Sequence, residues 1–184
     1  MGEILSSNWK ARLLAYALWE FYNYQLYCTV RGDDVQPNRH RIDGIISPTT
    51  FDTIRICISI RNNDRREEGL VHELLHANLI PLGYPRFWLK EKSGLAAGIM
   101  NQADHIVIRP IYLSLGYSAD RFLGRSRRLN ARERQVDADV KQMGDHLRTP
   151  QGYLDRVSKY LQENEIPFTP LYLSDAVVVQ RAIS

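Results

Sequence analysis

Leu70-Val71-His72-Glu73-Leu74-Leu75-His76-Ala77-Asn78-Leu79 is the stretch on which the reading of this chain turns. Helical residues four apart stand one above the other, so His72 and His76 present their imidazoles to one point in space. Two neutral imidazoles at that spacing can bind one Zn²⁺. Glu73 follows the first of them and points to the rim of the same site. A carboxylate there can take a proton from a metal-activated water and pass it to a leaving amine. The string is short: with five histidines in the chain, chance produces it roughly once in a hundred such sequences. Its surroundings argue against chance. Leu70, Val71, Leu74, Leu75 and Leu79 make the helix apolar on several sides and therefore buried. Two imidazoles and a carboxylate in a buried helix are costly without partners, and a metal ion supplies one.

Working outward, Thr53-Ile54-Arg55-Ile56-Cys57-Ile58-Ser59-Ile60 alternates β-branched apolar residues and reads as a strand. Asn62-Asn63-Asp64 is a turn and helix-cap pattern, with Glu67 and Glu68 in the first helical turn. The helix runs to about Leu79, where Pro81 and Gly83 stop it. From Thr53 to Gly83 the chain resembles the zincin metallopeptidases: a strand leads directly into a His-Glu-x-x-His helix. The resemblance implies a catalytic Zn²⁺ on His72 and His76 with Glu73 as catalytic base. It also implies that the strand borders a cleft and pairs with extended substrate. The metzincin continuation is absent, because Ala-Asn-Leu-Ile-Pro-Leu follows His76. The likeness is therefore to the gluzincin branch, with the third ligand on a later helix.

A catalytic zinc takes three protein ligands and keeps one open position. The next helical pattern runs from about Ser93 to Arg109, with Pro110 ending it, and contains the adjacent candidates Asp104 and His105. Neighbouring helical residues differ by about 100° in direction, so only one can face the metal directly. Periodicity favours Asp104, at the edge of an apolar arc of Leu95, Ile99, Met100, Ala103, Ile106 and Val107. Ligand chemistry favours His105. The residues leave the choice open, and whichever is not the ligand is expected behind it or at the oxyanion. The resembled family usually has Glu where Asp104 stands. His40 reads as a loop residue and His146 as a capping or solvent residue. Tyr112, Tyr117, Arg109 and His105 are candidates to stabilise a tetrahedral intermediate.

A length of 184 residues suits one domain with an extension, 44% apolar residues suit a globular protein, and a net charge of +3 dictates no partner. The two cysteines, Cys28 and Cys57, read as buried free thiols of a reducing compartment. No signal peptide or membrane span is visible, and the location expected is cytoplasmic. Met1-Gly2-Glu3-Ile4-Leu5-Ser6 matches only the loose N-myristoylation pattern.

Elsewhere, Asn8 caps a helix from Trp9 to about Tyr22 with a stripe of Leu13, Leu14, Ala17, Leu18 and Phe21. Leu26–Val30 reads as a strand and Gly32-Asp33-Asp34 as a turn. Residues 35–50 read as a long loop with a short strand at Ile45-Ile46. Leu82–Lys92, with Tyr84, Pro85, Phe87 and Trp88, is an aromatic linker that either binds substrate or plugs the core. Asn130 to about Leu147 and Thr149–Asn164 are helical, and Pro167 and Pro170 separate a last segment, Leu171–Ile183. Arg121, Arg125, Arg127, Arg128, Arg132 and Arg134 form a basic run opposed only by Glu133.

The expected fold is α+β: a mostly helical, zincin-like domain over residues 1–125 with a small sheet beside the His-Glu-x-x-His helix. A helical C-terminal extension, residues 126–184, packs on it. The expected function is a zinc metallopeptidase acting on a peptide or protein substrate. The metal is held by His72 and His76 with Asp104 or His105, and Glu73 is catalytic. The alternative is a regulatory or nucleic-acid-associated protein of the same fold that binds through Arg121–Arg134. Neither membrane association nor an oligomeric state is indicated.

Overall fold

The computed structural model describes residues 8–21, 26–31, 41–45, 55–61, 66–89, 93–122 and 131–171. Over these the fold is α+β and mostly helical, as expected. Helix α1 (Trp9–Phe21) starts at Asn8, whose Oδ1 accepts the Ala11 N–H at 3.0 Å. Its buried face is Ala11, Ala15 and Leu18, while Trp9, Leu13 and Tyr16 are 59%, 59% and 57% exposed. Of the expected stripe Leu18 is buried, while Leu13 and Ala17 are exposed, so the helix is rotated from it. Alanines let α1 come close enough to the next helix for Asn78 Nδ2 to donate to Leu14 O at 3.2 Å.

Strands β1 (Leu26–Arg31), β2 (Arg41–Ile45) and β3 (Arg55–Arg61) form one sheet in the order β1-β3-β2. β1 runs parallel to β3 with Leu26 opposite Ile56, and β2 runs antiparallel with Ile45 opposite Arg55. β2 lies inside the stretch expected to be a long loop; it includes Ile45, where a short strand is expected, but begins at Arg41. β3 is central, with partners along both edges, so it has no edge to offer an extended substrate. That corrects the expectation drawn from the zincin resemblance.

Helix α2 (Arg66–Asn78) follows β3 and packs against it. Leu70, Val71, Leu74, Leu75, Ala77 and Leu79 are all buried, so α2 is surrounded, as its composition implies. The chain leaves the following turn through Gly83 at φ +86, where Tyr84 N donates to Leu79 O and Gly83 N to Ile80 O. That pair of bonds is the glycine C-cap that lets the chain reverse. The aromatic linker then becomes a strand, β4 (Arg86–Leu89), paired antiparallel with β5 (Phe168–Leu171), Phe87 opposite Pro170. Phe87 is a core residue, stacked on Tyr153 and edge-on to Phe168. Of the two readings of this linker, the core plug is the one realised at Tyr84 and Phe87.

Helix α3 (Gly94–Ser114) is capped by Ser93, whose Oγ accepts Ala96 N at 3.2 Å. It passes through Pro110, where the sequence suggests an end. Pro110 is exposed, and burial of Tyr112 two residues on rewards continuation. The helix stops at Gly116, at φ +85, in a second glycine cap. The short helix α4 (Ala119–Phe122) follows. Beyond it lie α5 (Ala131–Met143), a 3₁₀ turn (Gly144–Arg148) and α6 (Pro150–Glu163), the last capped by Thr149. Val136, Val140, Leu147, Tyr153, Val157 and Leu161 pack in the same core as α2 and α3. Among the described residues, no helix is long and apolar enough to cross a membrane.

His40, Gly32–Asp34, the Asn62–Asp64 cap, Arg125–Arg128 and residues 172–184 lie outside the described residues. So do the side chains of Cys28 and Cys57, although their strands are neighbours.

Candidate metal centre

α2 and α3 cross so that His72, His76 and His105 meet, with ligand nitrogens all within 4.8 Å of one another. His72 Nε2 and His76 Nε2 are 3.1 Å apart. Tetrahedral zinc with bonds of about 2.0–2.1 Å holds its nitrogens roughly 3.3 Å apart, so this pair already has chelating geometry. His105 stands with its ring centroid 5.1 Å from each of the other two imidazoles. Both of its ring nitrogens are buried and have no hydrogen-bond partner among the described residues. A buried imidazole left unbonded on both nitrogens is expensive, and a cation between the three rings would relieve it. The donor set therefore fits a metal.

Asp104 faces the site differently. Its Oδ2 lies 3.0 Å from His76 Nδ1, on the side of the ring away from His72. Between the two sequence candidates, the geometry groups His105 with the imidazole pair and sets Asp104 behind His76. The apolar arc located Asp104 well, since it is 4% exposed. It misjudged His105, because α3 is packed by α2 on one side and by α5 and α6 on others, so polar positions are enclosed too.

The electrostatics follow from burial and these contacts. Burial pushes Glu73 up to about 7, with His76 opposing and the Asp104 charge adding. Burial also pushes His105 down to about 3, and His76 lowers it further while Asp104 opposes. For Asp104 burial acts upward, but the Arg86 guanidinium, His76 and the Tyr153 hydroxyl outweigh it and hold the carboxyl well below its usual range. Tyr153 is raised well above the ordinary phenol value by burial and by Asp104.

Three residues in this neighbourhood carried no sequence signal that tied them to it. Arg86 donates from Nη1 to Asp104 Oδ2 at 2.8 Å and from Nη2 to His76 O at 3.0 Å. The Tyr153 hydroxyl donates to Asp104 Oδ1 at 2.6 Å. Phe122 packs its ring 4.8 Å from that of His72 and 5.1 Å from that of His105. Only Tyr153 offered a hint: a hydroxyl on an otherwise apolar helix face needs a buried partner. Of the residues considered for an oxyanion role, Tyr112 is buried beside Phe122 with its ring 6.5 Å from His72. Tyr117 stacks on Tyr112 and accepts a hydrogen bond from Asn8. Arg109 is exposed on the solvent face of α3, and His146 is exposed near Thr149.

No protein-family profile matches the sequence, no curated protein aligns with it significantly, and no solved structure matches its fold.

Proposed function

We propose that this chain is a zinc-dependent metallopeptidase that hydrolyses peptide bonds, in the manner of the zincins it resembles at its His-Glu-x-x-His helix. The observation that carries this reading is the convergence of His72, His76 and His105, with Glu73 buried on the same helix. Three imidazoles are a donor set that zinc accepts while keeping a position open. Bound Zn²⁺ would supply Lewis acidity toward a scissile carbonyl and acidify a water molecule.

The chain's own residues account for the rest. Asp104 binds the Nδ1 side of His76, which leaves Nε2 of that ring toward the site. Glu73, with a carboxyl pushed up to about 7, can accept a proton from the nucleophile and release it to the leaving amine near neutral pH. Phe122 keeps an apolar wall against His72 and His105, which strengthens electrostatic interactions there. The substrate class is a peptide or protein, and the two-cysteine composition suits a reducing, cytoplasmic setting.

Cleavage of an unbiased peptide pool tests this reading, comparing wild type with Glu73→Gln at matched zinc content. Glu73→Gln should keep the fold and the metal and lose about 10²–10⁴-fold in rate, the usual worth of a general base. Equal cleavage by both proteins would remove Glu73 from the mechanism, and a wild type that cleaves nothing would contradict the peptidase reading. Nucleic-acid binding through Arg121–Arg134 rests on sequence alone, and salt-sensitive retention on DNA without hydrolysis would favour it.

A further inference from the structure

Behind the imidazole cluster lies a second layer: Asp104 from α3, joined by Arg86 and Tyr153 from two elements that contribute no ligand. Asp104 sits at its centre with every oxygen engaged. Oδ2 receives His76 Nδ1 at 3.0 Å and Arg86 Nη1 at 2.8 Å, and Oδ1 receives the Tyr153 hydroxyl at 2.6 Å. A carboxylate only accepts, so His76 donates from Nδ1, and in the neutral ring that leaves the Nε2 lone pair for the site. The direction of that bond depends on how the carboxylate is turned about its own axis. Tyr153 is the group that holds the other oxygen. It is 1% exposed, and its ring is wedged edge-on to Tyr84 and stacked on Phe87, so the hydroxyl cannot swing away.

We propose that Tyr153, reaching in from α6, is a positioning residue for the metal centre: it locks the Asp104 carboxylate so that His76 is held as the Nδ1–H tautomer with Nε2 presented to the metal. The C-terminal helix is thereby part of the site, though none of its side chains touches the metal position. Removal of the hydroxyl leaves Asp104 Oδ1 buried and unbonded, and the carboxylate is free to turn toward another donor. Loss of such an outer partner typically costs 10–100-fold in metal affinity. This inference rests on the metal-site reading above, and its test separates the two.

The experiment uses the full chain with Tyr153→Phe, and Tyr84→Phe as comparison. Tyr84 donates its own hydroxyl to Arg148 O and packs on Tyr153, but does not touch Asp104. Zn²⁺ affinity is measured by competition with a chromophoric chelator, and the His76 tautomer by long-range ¹H–¹⁵N correlation in metal-free protein. Tyr153→Phe should bind Zn²⁺ about tenfold more weakly and give a mixture of His76 tautomers, with Tyr84→Phe unchanged in both. Wild-type affinity and a single tautomer in Tyr153→Phe would overturn the proposal, as would equal losses in both variants, which would mark a packing effect. If wild type binds no Zn²⁺, the metal-site reading fails, and the tautomer comparison still decides for or against the role of Tyr153.

Discussion

Glu73 and His105 are buried ionisable groups with opposite preferences, and they give the metal-free protein a specific pH behaviour. Glu73 is raised from 4.5 to about 7, so its neutral form is favoured in the fold. That contribution is fully present below pH 4.5 and is lost as pH rises through about 7. His105 is lowered from 6.5 to about 3, so its neutral form is also favoured. Its contribution is present above pH 6.5 and is lost as pH falls toward about 3. Between pH 4.5 and 6.5 the two offset each other. Glu73→Gln should therefore stabilise the metal-free protein above pH 7 by about 1–3 kcal/mol and leave a stability that declines steadily below pH 6.5. His105→Gln should show the reverse, falling as pH rises from 4.5 to 7. Thermal melts across this range check both, and two variants that parallel wild type would refute the assigned burial.

His72, Glu73 and His76 were readable because one helix carries all three and local spacing is a covalent fact. Asp104 and His105 were readable as a pair but not as roles, because the choice depends on how α3 is rotated against α2. Arg86 and Tyr153 reach Asp104 from 18 and 49 residues away in sequence, and no local pattern encodes such meetings.

At the scale of elements, caps and turns were read well where their chemistry is local. Asn8 caps α1 as expected, Thr149 caps α6 at a position expected to be already helical, and Gly83 ends the turn after α2. The errors came where packing overrides local preference. Pro110 is carried inside α3, and the aromatic linker becomes β4 because a partner strand arrives from residues 168–171. One cap departs from the rule. α6 ends with Glu165 at φ +55 in the glycine-type position, with Ile166 N bonded to Leu161 O and Glu165 N to Gln162 O. Glu165 is exposed. Glu165→Gly should relieve the left-handed strain and stabilise the protein by up to about 1 kcal/mol, a rise of roughly 2–4 °C for a chain of this size. A lower melting temperature would show that the position is not strained.

For the whole molecule, the layout joins chemistry to architecture. α2 and α3 supply the imidazoles, α3 also places Asp104 behind His76, α6 and β4 add Tyr153 and Arg86 to that carboxylate, and one core runs through all four elements. A ligand that binds only the folded state stabilises it by mass action. Zn²⁺ at one hundred times its dissociation constant should add about 2.7 kcal/mol, and a chelator should remove that increment reversibly. The measurement that tests the central claim most directly is zinc stoichiometry by elemental analysis after dialysis, on wild type and on His72→Ala, His76→Ala and His105→Ala. The account predicts one zinc per chain in wild type, none in either α2 variant, and sharply weakened retention in His105→Ala. Zinc-free wild type, or full occupancy in His76→Ala, would contradict it.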